Sequence, residues 1–346
     1  MRPMQERVTE RITVLGCGQM GLVMADAALA ADIGPVRLWG MPGPQVAELR
    51  SHRTNTDRLQ HFMLDEQVEV HDDPSAALAD ATMVLHAIPV QVTAEAWGTF
   101  APHVPDGAVV ASMSKGIEVG TCRLPTQILS DVLGDRAVPA VVSGPTIATE
   151  LARRQPAVMV AACEDEAIAA RLQQALHAPW LRIYATTDVL GVELAGAAKN
   201  VIAIAAGMCD GLGLGDNAKS AVLARGLAEI TRLGEAMGAQ AETFFGVAGV
   251  GDLATTCFSP HGRNRTFGQA LGEGELPDAF FSRTGSTVEG LATAQSLAVL
   301  AQRHDVEMPI AAAIHDVLFA DVPVKRAFDE LMARNMGREW HRAASQ

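Results

Sequence analysis

The chain has 346 residues, of which 49% are hydrophobic, 19% charged and 4% aromatic, with a net charge of −13. That apolar content can fill the cores of about two ordinary domains and excludes a largely disordered chain. The acidic balance and the scarcity of aromatic rings exclude a surface built for nucleic acid, so any anionic ligand must be met by a few locally placed cations.

Residues 1–11 are polar, with no apolar run of the kind a secretory signal requires. Strand-like and helical runs then alternate. Strands are expected over 12–15, 36–39, 68–71, 83–88, 109–112, 137–143 and 157–161, and helices over 20–31, 76–80 and 123–133. The continuous apolar strands suit the interior of a parallel sheet, and the alternation implies βαβ units in a doubly wound, Rossmann-type α/β domain. Beyond about residue 184 small and apolar residues recur at helical spacing, predicting helices over 189–208, 218–237, 287–303 and 310–319. The expected organisation is a dinucleotide-binding Rossmann domain over 1–187, an all-α substrate-binding and catalytic domain over 188–337, and a polar tail over 338–346. The longest apolar stretch, 189–209, contains Glu193, Lys199 and Asn200, which favours a protein interior over a membrane span.

Gly16-Cys17-Gly18-Gln19-Met20-Gly21 follows the first strand and opens the first helix. In that context G-x-G-x-x-G is a dinucleotide fingerprint: Gly16 for the turn, Gly18 for close approach of a pyrophosphate, Gly21 for helix–strand packing. The second strand ends at Trp39-Gly40-Met41 with no acid to bind a ribose 2′-hydroxyl, which leaves NAD and NADP both open. Arg50 and Arg53 are candidate ligands for a 2′-phosphate, or plain surface arginines.

Ligands of open α/β sheets lie beyond the carboxyl ends of the strands, where Ile88-Pro89, Ser114-Lys115-Gly116 and Ser143-Gly144-Pro145-Thr146 fall. Lys115 among small residues is an anion ligand or a solvated loop lysine. Lys199, inside an otherwise apolar helix, is the sharper candidate, because desolvation brings a lysine toward the range in which it exchanges protons. Its bland alternative is a structural ion pair with Glu193 or Asp252. Asp252, in Gly-Val-Gly-Asp-Leu, reads as a site acid or as an N-cap. Arg263-Asn264-Arg265 after a turn-forming run offers a fork of donors to a phosphate or carboxylate. The five cysteines include no C-x-x-C pair and read as reduced, buried thiols in a cytosolic protein. The ten histidines show no ligand spacing, His86 and His315 read as core or rim residues, and no metal is expected.

Taken together, Gly191–Asn200, Gly211–Lys219, Ala224–Glu229, Gly249–Leu253, Gly262–Arg265 and Val288-Glu289-Gly290 resemble, in the same order, the bacterial-type NAD(P)-dependent glycerol-3-phosphate dehydrogenases. The resemblance runs from about residue 12 to 319. It implies interconversion of sn-glycerol 3-phosphate and dihydroxyacetone phosphate, supplying phospholipid synthesis, by a cytoplasmic enzyme commonly dimeric. It places Lys199 as the proton-exchanging lysine, with Lys115 and Asp252 as further catalytic residues. It places Gly144, Thr146, Gly262, Arg263 and Asn264 with Lys115, Lys199 and Asp252 on the substrate. It places Gly16, Gly18, Gln19, Met20, Gly21, Lys115, Ala148, Arg263, Thr287 and Glu289 on the cofactor. Departures from the family pattern are Gln19-Met20 in the turn, Met41 after the second strand, no Leu-Pro-Gly segment in Arg58–Asp65, Gly262 where Ser is usual and Thr287 where Val is usual. The rival readings are another two-domain reductase, of the hydroxyacid or ketopantoate type, and more remotely a non-catalytic NAD(P)H sensor.

Overall fold

The structure is a computed structural model that describes residues 9–334. The tail expected over 338–346 and most of the polar leader lie outside the described residues.

The first strands and helices alternate as β1 (Ile12–Leu15), α1 (Gln19–Ala30), β2 (Val36–Trp39), α2 (Pro44–His52), β3 (Glu69–His71), α3 (Pro74–Leu78) and β4 (Met83–His86). They continue through α4 (Thr93–Phe100), β5 (Ala108–Ser112), α5 (Pro125–Leu133), β6 (Ala137–Ser143), α6 (Ala148–Leu151), β7 (Ala157–Ala162), α7 (Glu166–Leu176) and β8 (Leu181–Thr186). All eight strands form one sheet in the order β3-β2-β1-β4-β5-β6-β7-β8. The direction of winding reverses between β1 and β4, whose registers pair Ile12 with Met83 and Leu15 with His86. β4 and β5 are buried along their whole length because helices cover both faces of the sheet.

The sheet departs from the expected all-parallel pattern at one edge. β7 runs antiparallel to β6, and β8 follows β7 in parallel. A parallel crossover needs a helix long enough to carry the chain back along the sheet, and the four-residue α6 between β6 and β7 cannot do so. β8, absent from the expected strands, alternates buried Leu181 and Ile183 with exposed Arg182 and Tyr184, as an edge strand buried on one face does.

From Val189 on the described chain is helical: α8 (Val189–Gly211), α9 (Gly215–Met237), α10 (Ala241–Phe245), a π turn at Val247–Gly251 and α11 (Asp252–Phe258). α12 (Arg263–Gly272), α13 (Pro277–Thr284), α14 (Glu289–Arg303), α15 (Pro309–Phe319) and α16 (Val324–Met332) follow. α8 is long and apolar enough to cross a membrane, but it is the central helix of this cluster and 89% of its most apolar window is buried inside the protein. α12 crosses it closely because Gly207 and Gly268 offer no side chain: a Cβ at Gly268 would lie 2.0 Å from the Ile204 carbonyl oxygen. A small apolar cluster of Val141, Val160, Ala162, Val192 and Ala248 joins the sheet to α8 and the π turn. This contact sets the helical part against β6 and β7.

Candidate active site

The turn between β1 and α1 has the shape a dinucleotide requires. Gly16 adopts φ +113°, a backbone conformation that side-chain-bearing residues avoid. A Cβ at Gly21 would lie 1.8 Å from the Gly16 carbonyl oxygen, whereas a Cβ at Gly18 would meet nothing within 4 Å. The middle glycine therefore faces open space while its neighbours close the turn. No side chain caps α1 and its first turn carries no acid, so its N–H groups and dipole remain for an anion. These residues fit a dinucleotide phosphate. Gln19 and Met20 form the first turn of α1, with Gln19 exposed.

Beyond β5 and β6 the structure brings together residues far apart in sequence. Lys115, just after β5, donates from Nζ to the Gly144 carbonyl oxygen at 2.9 Å and to Asp252 Oδ2 at 2.6 Å. Lys199, on the third turn of α8, pairs with Asp252 Oδ1 at 2.7 Å and donates to Thr256 Oγ1 at 2.5 Å. Asp252, 1% exposed, thus takes one ammonium on each oxygen. It is the first residue of α11, yet its side chain binds the two lysines and caps no helix. Of the two ion-pair partners considered for Lys199, Asp252 is the one observed. Glu193 instead turns toward α5, accepting from the Thr126 amide at 2.9 Å and from its hydroxyl.

Lys199 is 6% exposed. Burial, reinforced by the nearby Lys115 charge and opposed by Asp252 and Glu289, brings its amine down from 10.5 to about 8. An ammonium has three donors, and here Asp252 and Thr256 occupy two, so one N–H remains for a substrate oxygen. Thr256 was absent from the sequence-derived set. Its only signal was its position four residues after Asp252, which puts both on one face of α11.

A second layer lies against Lys199. Asn264 donates to Asn200 Oδ1 at 3.0 Å and accepts at Oδ1 from the Gly290 amide at 2.9 Å, so both ends of its side chain serve to join α8, α12 and α14. The buried Asn200 Nδ2 has no partner. The structure therefore places Asn264 as the support and Asn200 as the group with a donor to spare. Arg263, the first residue of α12, is exposed, donates to the Thr287 carbonyl oxygen at 3.0 Å and stands 3.9 Å from Glu289. Gly262 caps α12 without a side chain, and a Cβ there would come within 3.2 Å of the Thr256 carbonyl oxygen. On the other wall, the Thr146 hydroxyl donates to the Gly144 carbonyl oxygen at 3.2 Å, and Ala148 is buried at the start of α6.

Two candidates are spent elsewhere. Arg50 forms a two-pronged pair with Asp72 at 2.8 and 2.6 Å, and Arg53 donates to the carbonyl oxygens of Leu64, Asp65 and Val68. His86 is buried, takes the Trp97 indole N–H at Nδ1, lies 3.1 Å from the Thr93 hydroxyl, and is pushed down to about 3 by burial. It is a neutral core residue, while His315 packs at the rim against Phe319. All five cysteines are free and buried. Among the described residues no group of His, Cys, Asp and Glu is arranged to hold a metal ion.

Comparison with known proteins gives a consistent match. The family model for the NAD-dependent glycerol-3-phosphate dehydrogenase N-terminus matches residues 11–169, and that for its C-terminus matches 188–329. A glycerol-3-phosphate dehydrogenase (NAD(P)+) of Thermobifida fusca is 41% identical over 327 residues, covering 94% of this chain and 97% of the relative. Its counterpart in Streptomyces griseus is 42% identical over 329 residues, with the same coverage. The crystal structure of glycerol-3-phosphate dehydrogenase from Coxiella burnetii superposes with a TM-score of 0.89 at 34% identity, over 94% of this chain and all of that one. A ketopantoate reductase from Ralstonia eutropha, 16% identical with a TM-score of 0.57 over 93% of this chain and 99% of that one, shares the fold alone.

Proposed function

The chain belongs to the NAD-dependent glycerol-3-phosphate dehydrogenase family, and we propose that Lys199 exchanges the proton in its reaction. The enzyme interconverts sn-glycerol 3-phosphate and dihydroxyacetone phosphate with NAD or NADP as cofactor. The observation that carries the assignment is the Lys115–Asp252–Lys199 array beyond β5 and β6, in which Asp252 and Lys199 are buried.

The Gly16–Gly21 turn would hold the pyrophosphate of NAD or NADP, which when bound would supply or remove the hydride at C2 of the substrate. The protein's part is to manage the C2 oxygen. In reduction Lys199 gives a proton from Nζ to that oxygen as negative charge develops on it, and in oxidation the neutral amine takes the proton back. Asp252 and Thr256 hold two of the three N–H directions, which aims the third. Lys115 adds a second positive charge close by, in a site from which water is largely excluded. Arg263 and the uncapped N-terminus of α12 take the substrate phosphate, with Gly262, Asn264, Gly144 and Thr146 shaping the pocket; Asn264 acts there through Asn200. Gly16, Gly18, Gln19, Met20, Gly21, Lys115, Ala148, Arg263, Thr287 and Glu289 line the path of the cofactor.

The same reading divides the chain into a dinucleotide-binding domain over 1–187 and a helical substrate and catalytic domain over 188–337, a division supported by the end of the sheet at Thr186. The free, buried thiols support a reducing, cytoplasmic setting. Supply of glycerol 3-phosphate to phospholipid synthesis and a homodimeric assembly follow from the resemblance. Steady-state oxidation of NADPH and of NADH with dihydroxyacetone phosphate, against a panel of 2-oxo acids, tests the substrate. Turnover of 2-oxo acids in preference to the phosphate would overturn it. The logarithm of kcat/KM in the reducing direction should be level below about pH 8 and fall above it.

A further inference from the structure

We propose that Arg58 receives the 2′-phosphate of NADP(H), so that the loop after α2, and not the end of β2, decides which dinucleotide this chain prefers. The inference rests on the reading of the β1–α1 turn as the dinucleotide site.

Cys17 marks the side of the turn that faces β2. A Cβ at Gly40 would touch the Cys17 sulfur at 2.7 Å, and that sulfur lies 3.9 Å from Gln45 Oε1. The adenosine ribose of a Rossmann-bound dinucleotide lies on this side, where an acid would claim its 2′-hydroxyl and a nearby arginine would accommodate a 2′-phosphate. The end of β2 supplies neither, since Trp39 and Gly40 are followed by Met41, 74% exposed. Three of the surrounding carboxylates are engaged: Asp72 with Arg50, Glu69 with Arg37 and His71, and Glu48 with the Thr54 and Thr56 hydroxyls and the Thr56 amide. Three of the surrounding cations are engaged as well. Arg37 binds Glu69 and Asp80, Arg50 binds Asp72, and Arg53 is tied to three carbonyl oxygens.

Arg58 differs from these three. Among the described residues its guanidinium makes no ion pair and no hydrogen bond, not even with its neighbour Asp57, and it is exposed. Its backbone, however, is fastened to the glycine turn. Gln19 Nε2 donates to the Arg58 carbonyl oxygen at 2.7 Å, and the buried Asn55 donates from Nδ2 to the Cys17 carbonyl oxygen at 2.9 Å. The Arg58 and Leu59 amides both close back on the Asn55 carbonyl oxygen, and Leu59 is buried in the core. The loop thus presents one uncommitted cation from a fixed backbone at the ribose side of the turn. Its charge reaches the Cys17 thiol, whose ionised form it favours against the effect of burial. A guanidinium fork matches the paired oxygens of a phosphate monoester, which carries most of two negative charges at neutral pH.

The test measures binding by the full chain without substrate. NADPH and NADH are titrated by nicotinamide fluorescence, and 2′,5′-ADP and 5′-AMP by calorimetry, for the wild type, Arg58→Ala and Arg58→Lys. Arg58→Ala should weaken NADPH and 2′,5′-ADP by about 10- to 100-fold, the range of a lost charge-assisted hydrogen-bond pair, and leave NADH and 5′-AMP within about twofold. Arg58→Lys should recover part of the loss, because it restores the charge and not the fork. Equal weakening of both dinucleotides, or no weakening, overturns the proposal, as does a wild type that binds NADH and not NADPH. A wild type that binds neither dinucleotide overturns the reading of the turn itself.

Discussion

Replacing Lys199 with methionine separates the two things that its burial does. Methionine keeps most of the apolar stem and removes the amine, so the packing of α8 is conserved while proton exchange is lost. Positioned proton transfer contributes about 100- to 10,000-fold to rate, and kcat for dihydroxyacetone phosphate reduction should fall by that factor. Stability should move the other way. Bringing the amine from 10.5 to about 8 means that the fold disfavours the charged form, and each tenfold change in proton affinity is about 1.4 kcal/mol. Below pH 8 the amine is protonated both folded and unfolded, so the full cost, about 3 kcal/mol at most, is present. Between pH 8 and 10.5 the unfolded chain holds more protons than the folded one, and wild-type stability gains from this group as pH rises. Lys199→Met should therefore be more stable at neutral pH, with Asp252 still neutralised by Lys115, and the difference should shrink toward pH 10.5. Coupled-absorbance kinetics and urea unfolding at about pH 7 and about pH 10 measure both effects. A variant within about tenfold of wild-type kcat refutes the proton-exchange role. A variant less stable than wild type at neutral pH shows that the amine is a net structural asset, and refutes the energetic reasoning.

Arg263→Ala should raise KM for dihydroxyacetone phosphate by about 10- to 100-fold with a smaller change in kcat, since it removes an interaction made before and during the reaction alike; initial-rate kinetics decide, and an unchanged KM removes Arg263 from the phosphate site. Gly21→Ala puts a carbon 1.8 Å from the Gly16 carbonyl oxygen, so fluorescence titration should show NADPH binding lost and thermal unfolding should shift down. Normal affinity in that variant would mean that the turn does not hold the dinucleotide. Glu193, pushed up to about 7 by burial despite its hydrogen bonds from Thr126, binds a proton more tightly folded than unfolded. Its contribution to stability is complete below pH 4.5 and is lost as pH rises through 7, so Glu193→Gln should flatten the decline of unfolding free energy across that interval. Parallel slopes for variant and wild type would contradict the cause assigned to Glu193.

Much of the fold was legible because its signals are local. The glycine turn lies between a four-residue apolar strand and a helix, and Gly16 and Gly21 each meet a steric demand set by residues close in the chain or just after the adjoining strand, while Gly18 leaves space open for a ligand. Lys199 stood out because a lone lysine in a run of alanine, glycine and valine has nowhere to go but a buried helix face. The strands from β1 to β7 were found to within a residue or two, since apolar runs mark strands covered by helices, whereas β8, buried on one face only, was missed. The reversal at β7 was not legible. It depends on how far α6 carries the chain, and the direction of a return leaves no mark on the composition of the strand that follows.

Which residues carry the chemistry can be read along the chain: the turn that can seat a phosphate, the amine that must be buried, and the arginines suited to anions. Their pairings follow from folding. Lys115 and Asp252 are 137 positions apart and meet because the π turn before α11 packs against β6 and β7 beside α8. Arg50 and Arg53 look as free as Arg58 along the chain, and only folding binds the first to Asp72 and the second to backbone carbonyls. Apolar periodicity is written residue by residue, whereas the partner of a charge is chosen by whichever surfaces the packing of distant elements brings within about 3 Å.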